Sequence, residues 1–355
     1  MGLKPVAIED DTTCMIGRRL RRTIVALVVA ALAPAATAQA RDAGTWARSS
    51  VQAVVAAQLL PDTTVTSFAA ARPLDHATLA LLVWGSVPGS MATTDLPLDG
   101  EPATIGELDA AFVDAYGLAG AAQAAHDGLV AAGYSPRDDA GTEIVARLLG
   151  LRYNHPAADD ALELADFEVA TRAEAAYTTA VALGGVNVAA VAPVIARIGG
   201  LPQTTGERHR VINRAVALIG RPYIWGGTWD TTSGGPAGYQ LHGGYDCSGL
   251  VWRTMAYAPG ALHASGRRLG GRTTYDMAYT TPKARKLAAR RVRPADVLLF
   301  SPYGRRARWS NVDHAAIAIG NGLMIQSSNE GVTLTVWAYG HYAHTFAFGK
   351  SVLPG

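Results

Sequence analysis

Tyr245-Asp246-Cys247-Ser248-Gly249-Leu250-Val251-Trp252-Arg253-Thr254-Met255 is the stretch on which the reading of this chain turns. Leu250, Val251, Thr254 and Met255 recur at helical spacing, and Asp246 is a residue type that caps helix N-termini. The pattern predicts a helix with Cys247 in its first turn. There the helix dipole and the free N–H groups favour a thiolate, and exposed amides can stabilise an oxyanion. The chain holds two cysteines, and the other, Cys14, lies in the N-terminal leader. Cys247 therefore has no disulfide partner in the mature chain. It is either an inert core thiol or a nucleophile.

A nucleophilic thiol needs a base. Val312 to Ile319 reads as a strand with His314 near its start, Gly320-Asn321-Gly322 as the turn, and Leu323 to Ser328 as the returning strand. Gln326 on the return is placed to hold the imidazole tautomer if it shares a face with His314. A two-residue Asn321-Gly322 turn would pair Ile317 with Gln326 and put it on the wrong face. A three-residue loop pairs Ala316 with Gln326 and puts it on the right one. The expectation is the three-residue loop, with Gly322 left-handed.

Upstream stand Pro222-Tyr223-Ile224-Trp225-Gly226-Gly227 and, between the helix and the hairpin, Pro294-Ala295-Asp296. These motifs, with Asp246-Cys247-Ser248-Gly249-Leu250, His314 and Gln326 in that order, resemble the NlpC/P60 cysteine peptidases over about Arg208 to the C-terminus. The resemblance implies an α+β fold: a papain-like catalytic domain with helices packed on an antiparallel sheet. It implies hydrolysis of peptidoglycan stem peptides, typically between D-Glu and a diamino acid, without metal or organic cofactor. By position Cys247 is the nucleophile, His314 the base and Gln326 the third polar group. Tyr223, Trp225, Asp246 and Ser248 fall at substrate-binding positions. Gln326 departs from the His common in the family; an amide orients an imidazole without supporting its positive charge. The Gly-rich segment Thr228 to Tyr245 is a second departure, longer than usual there.

Outward from the motifs, charge divides the chain in two. Residues 41–205 carry 8 Lys+Arg against 19 Asp+Glu, and residues 206–355 carry 18 against 7. Opposite signs argue for two modules, the second suited to an anionic polymer. The first is alanine-rich, with helical patterns over Leu74 to Trp84, Thr104 to Tyr116, Thr142 to Leu151 and Thr171 to Ala182. Thr171-Arg172-Ala173-Glu174-Ala175-Ala176 and the Trp46 segment resemble divergent S-layer-homology repeats, helical hairpins that dock on wall polymers. A generic helical spacer or lid stays open beside that reading. Residues 199–206 read as a linker, which gives a leader over 1–40, a helical module over 41–198 and a catalytic domain over 207–355.

The leader combines Arg18-Arg19-Leu20-Arg21-Arg22, the apolar run Ile24 to Ala33 and small residues up to Ala40, the pattern of a secretory signal. Met15 is a natural start within it. The apolar run is too short to span a bilayer. The expectation is thus a secreted or wall-associated enzyme, with peptidoglycan and anionic secondary wall polymers as partners, no nucleic acid and no stable membrane insertion. The basic run Lys283 to Arg293 lacks interleaved aromatics and reads as a solvated face. His341-Tyr342-Ala343-His344 reads as an ordinary strand or turn. No zinc-peptidase, P-loop or serine-hydrolase string is present. Two rivals remain: a wall-binding protein without catalysis, and a thiol amidase or acyltransferase on another amide or ester.

Overall fold

The computed structural model describes residues 46–92, 94–152, 164–229, 233–235, 238–240, 243–256 and 268–353. The expected leader, with Cys14, lies outside the described residues. Eight helices come first: α1 (Arg48–Ala56), α2 (His76–Ser86), α3 (Ile105–Ala115), α4 (Ala119–Ala131), α5 (Ala140–Leu148), α6 (Arg172–Gly184), α7 (Val191–Gly199) and α8 (Gly206–Val216). Helices α4 and α7 were not anticipated from the sequence. Alanine dilutes the apolar period of α4, whose buried residues are only Ala122, Ala125 and Leu129.

The helical half contains an internal threefold arrangement. Helices α2, α3 and α6 each begin at a side-chain cap, Asp75, Thr104 or Thr171, which accepts from the N–H three residues on. The three lead-ins close a ring of backbone hydrogen bonds: Leu74 N–H donates to Ala170, Ala170 to Ala103, and Ala103 to Leu74. A second layer repeats the pattern, with His76 N–H bonding Glu101 O, Ile105 bonding Glu168 and Arg172 bonding Arg72. Each short lead-in thereby satisfies backbone groups that a lone loop would leave to water. The ring's positions 76, 105 and 172 hold His, Ile and Arg. Arg172 is committed to Asp75 at 3.6 Å and Thr78 at 3.1 Å, and His76 to Asp99 at 2.7 Å.

The other half follows as β1 (Thr228–Trp229), β2 (Ser233–Gly235), β3 (Gly238–Gln240), β4 (Gly244–Tyr245), α9 (Cys247–Ala256), α10 (Thr274–Tyr279), β5 (Lys286–Leu287), β6 (Val297–Phe300), β7 (His314–Gly320), β8 (Leu323–Ser328), β9 (Gly331–Val336), α11 (Gly340–Thr345) and β10 (Phe346–Lys350). Strands β5 to β10 form one antiparallel sheet in the order β5-β10-β6-β7-β8-β9. Val297, Leu299, Ala315, Ile317 and Ile325 face a core that includes Leu250, Val251 and Met255 of α9. The alternate residues Leu298, Phe300, Ala316, Ala318 and Met324 face a smaller core with Trp337 and Phe346. The molecule is α+β, with helices on an antiparallel sheet after an all-helical region. Part of the Gly-rich segment pairs as two short hairpins, β1 with β4 and β2 with β3.

The Pro294-Ala295-Asp296 motif is structural. Asp296, fully buried, takes Arg208 of α8 at 3.1 Å, Ser351 Oγ at 2.8 Å and the Arg293 N–H at 2.9 Å. It ties α8 to the entry of β6.

Segment 199–206 is seated rather than slung between the halves. Leu201 is buried, Tyr134 Oη meets Thr204 Oγ1 at 3.0 Å, and Gln203 donates to Ala131 O at 3.3 Å. Gly206 already belongs to α8. The main core runs through both halves: Leu129, Ile144, Val194 and Ile198 pack in one cluster with Val211, Ile212, Leu334 and Val336. Arg147, buried and paired with Glu143 at 2.6 Å, donates to Gly220 O at 2.9 Å.

Candidate active site

Asp246 organises the start of α9. One carboxylate oxygen accepts from the Gly249 N–H at 2.6 Å and the Ser248 hydroxyl at 3.1 Å. The other accepts from the Gly226 N–H at 2.9 Å and the Arg272 guanidinium at 2.8 Å. Arg272 also donates to Ser248 Oγ at 2.7 Å and Gly227 O at 3.1 Å. The helix N-terminus and the Trp225-Gly226-Gly227 turn are thus locked by one carboxylate and one guanidinium. Gly249 is required by that closeness, since a Cβ there would lie 2.0 Å from Gly227 O. Asp246 and Ser248, expected to meet substrate, have their polar atoms engaged in this lock.

Cys247 is thereby fixed as the first helical residue, with Sγ 3.9 Å from the Asp313 carbonyl oxygen. Burial pushes the thiol up to about 12, helped by the Asp246 charge, while the Ala315 and Ser248 amides and Arg272 pull it down. Desolvation wins, so the resting sulfur is a thiol rather than the thiolate expected from the helix start.

His314 opens β7, and its Nε2 lies 2.7 Å from Gln326 Oε1. An amide oxygen only accepts, so Nε2 carries the proton and Nδ1 keeps its lone pair. Burial holds the imidazole pKa below its ordinary 6.5, against the Gln326 bond and the Asp313 and Glu330 charges. The neutral form, the one that takes a proton, is favoured.

The register that joins these two residues arises differently from expectation. Ala316 pairs with Gln326, as a shared face requires, but Gly320 pairs with Leu323. The turn is the two-residue Asn321-Gly322, both with positive φ (50° and 75°). The ladder shifts between Ala318 and Gly320, so Ile319 is an extra, bulged residue. A bulge performs the reset that a longer loop would have made.

Beyond Gln326 the polar chain continues. Its amide donates to Ser328 Oγ at 3.5 Å, and the Ser328 hydroxyl donates to Glu330. Tyr342 lines the same cavity as His314, and its ring centroid is 6.0 Å from that of His314. The positive charge that an amide alone cannot balance is therefore answered by Glu330 two links away. Two cavities flank the pair. One, about 520 Å³, is lined by Trp225, Cys247, Arg272, Tyr275 and Asp313. The other, about 590 Å³, is lined by Phe300, Asp313, His314, Glu330, His341 and Tyr342. Asp313 belongs to both.

Of the residues expected from sequence, Cys247, Asp246, Ser248 and Trp225 stand at the first cavity, and His314 stands at the second with Gln326 bonded behind it. Tyr223 instead bridges Tyr245 and is not among the described lining residues of the thiol cavity. Sequence reasoning missed Arg272, Tyr342, Ser328 and Glu330. The period of two placed Ser328 on the face of Gln326, so that signal was available. Tyr342 was not, because the 341–344 segment is helical, in α11, rather than a strand or turn.

Residues 220–349 match the family described as "NlpC/P60 family". This part of the chain is an NlpC/P60 domain. A protein of Mycobacterium tuberculosis named "Probable endopeptidase" is 34% identical over 133 residues, 37% of this chain and 26% of that protein. The peptidoglycan endopeptidase RipA of the same species is 30% identical over 152 residues, 41% of this chain and 28% of its own length. The chain thus matches only about a quarter of either relative's length. Among solved structures, an NlpC/P60 family protein from Bacillus cereus aligns at TM-score 0.32 and 23% identity, covering 42% of each chain. The NlpC/P60 domain matched here holds Cys247, His314 and Gln326, and leaves out α8 and everything before it.

Proposed function

We propose that the chain is an exported cysteine endopeptidase that hydrolyses peptidoglycan stem peptides, with Cys247 as nucleophile and His314 as base. The observation that carries the reading is the 2.7 Å contact of His314 Nε2 with Gln326 Oε1, which leaves Nδ1 unprotonated, while the helix-start thiol of Cys247 lies 3.9 Å from the carbonyl oxygen of the adjoining Asp313. The NlpC/P60 match and relatives named as endopeptidases support the substrate class.

In this mechanism the resting pair is neutral. As Sγ attacks the peptide carbonyl, its proton passes to His314 Nδ1 and the carbonyl electrons move to oxygen. The start of α9 is the place for that developing negative charge. Collapse of the intermediate breaks the C–N bond, and the imidazolium protonates the departing amine. His314 then deprotonates a water, which cleaves the thioester and restores the thiol. Gln326 holds the tautomer throughout, and Glu330 favours the transient imidazolium. The bond cut is the one between D-Glu and the diamino acid, in line with the family resemblance. The helical half contributes no group to this chemistry.

Mass spectrometry of soluble products from purified sacculi tests this. The expected products are fragments whose new amino terminus is the diamino acid. Release of fragments cut at the sugar–peptide amide would make the chain an amidase instead. Absence of any soluble product would remove the hydrolase reading.

A further inference from the structure

The thiol side of the cleft carries exposed aromatic surface that neither the core nor the Cys247 chemistry uses. Trp225 is 56% exposed, Tyr275 49%, Tyr279 68% and Trp309 48%. Trp225 and Tyr275 line the thiol cavity. Tyr279 is four residues after Tyr275 in α10 and so projects from the same helix face. The Tyr279 ring meets the Trp309 ring edge-on, with centroids 5.1 Å apart. The four rings make one strip leading out of the cavity that holds the thiol. Arg308 and Ser310, both exposed, flank Trp309 in the chain, and the exposed Arg305 and Arg306 precede them.

Large aromatic groups left in water and connected into a strip mark a recognition surface. Its chemistry is amphipathic, with flat ring faces and hydrogen-bond donors beside them. A pyranose fits this combination, since it offers a face of C–H groups to an aromatic ring and hydroxyl and acetamido oxygens to donors. A protein partner's apolar patch would meet the arginines unpaired. The strip also begins at the thiol cavity, which Trp225 and Tyr275 line, so it is within reach of the glycan end of a peptide bound there.

Resting on the stem-peptide reading above, we propose that Trp225, Tyr275, Tyr279 and Trp309 form a saccharide-stacking surface. It binds the N-acetylated aminosugar strand to which the stem peptide is attached, and it makes glycan-linked peptide the preferred substrate.

Two measurements on the whole chain separate this proposal from the reading beneath it. The first is NMR or calorimetric titration of the Cys247→Ala protein with the β-1,4-linked N-acetylglucosamine tetramer. Saturable binding is expected, weakened about tenfold or more by Tyr279→Ala or Trp309→Ala and retained by Tyr279→Phe, which keeps the ring. No saturable binding, or binding indifferent to both alanine variants, overturns the surface. The second compares cleavage of glycan-linked muropeptides with that of the same peptides freed of glycan. The Cys247-containing chain should favour the former, and Tyr279→Ala combined with Trp309→Ala should erase the preference through KM. Equal cleavage of both substrates by the unaltered chain overturns the preference. Tetramer binding without cleavage of either substrate keeps the surface and removes the peptidase reading.

Discussion

At the scale of single residues, environment decides more than residue type. Cys247 sits where a thiolate is usually favoured, yet desolvation outweighs two amides and Arg272 and keeps the proton on sulfur. His314 is pushed the opposite way and stays neutral. Its protonation abolishes the base, so the acid limb of kcat/KM should have its midpoint below pH 6.5. Removing the Glu330 charge takes away a contribution that favours imidazolium, so Glu330→Gln should move that limb to still lower pH. It should also reduce kcat, because the imidazolium in the transition state loses support. A midpoint at or above pH 6.5, or an upward shift in Glu330→Gln, would contradict this assignment. The companion test is Gln326. Gln326→Ala should cost about 10²-fold in kcat by freeing the tautomer, within the range for general acid–base groups, and Gln326→His should recover most of it. Equal loss in both would mean that Gln326 only packs.

At the scale of elements, the hairpin carries the site. The pairing of Ala316 with Gln326 was legible, because alternation demands it if both side chains are to share a face. The bulge at Ile319 was not, since an apolar residue reads the same in or out of a ladder. Gly320 shows the physical cause: its φ is 104°, and a Cβ there would lie 2.6 Å from Pro202. Gly320→Ala should therefore cost about 1–3 kcal/mol through strain and overpacking. Loss of activity should follow the loss of stability in thermal melts. An unchanged melting temperature would mean the bulge is not under constraint. The Asp246 cap of α9 was equally legible, whereas Arg272 was not. Twenty-four residues after Ser248, it reaches the lock only through tertiary packing.

At the scale of the molecule, the charge split of the sequence falls between α7 and α8, ahead of the sheet, but it does not report how the helical region and the sheet meet. Charge patterns describe surfaces, and the junction is made by buried aliphatics and by the Glu143–Arg147 pair under Gly220. The threefold ring was half visible: Thr171 to Glu174 stood out, while the equivalent starts at Asp75 and Thr104 share only the capping chemistry. The continuous core has a consequence for truncation. Residues 206–355 alone would expose the faces now covered by Leu129, Ile144, Val194 and Ile198, at about 1.5–3 kcal/mol for each side chain uncovered. That is comparable with the whole margin of a typical domain, roughly 5–15 kcal/mol. The fragment should melt well below the chain spanning residues 46–355, or aggregate. Identical melting temperatures would show that the shared core contributes nothing to stability.

The measurement that bears most directly on Cys247 as the nucleophile is muropeptide release by a folded Cys247→Ala protein, followed by mass spectrometry beside the unaltered chain. Circular dichroism and thermal melting should match, because the change removes one sulfur at the edge of a cavity. Release should fall at least about 10³-fold, since no other group replaces the thioester step. A folded Cys247→Ala protein that releases muropeptides at a near-normal rate would contradict thiol catalysis by this chain.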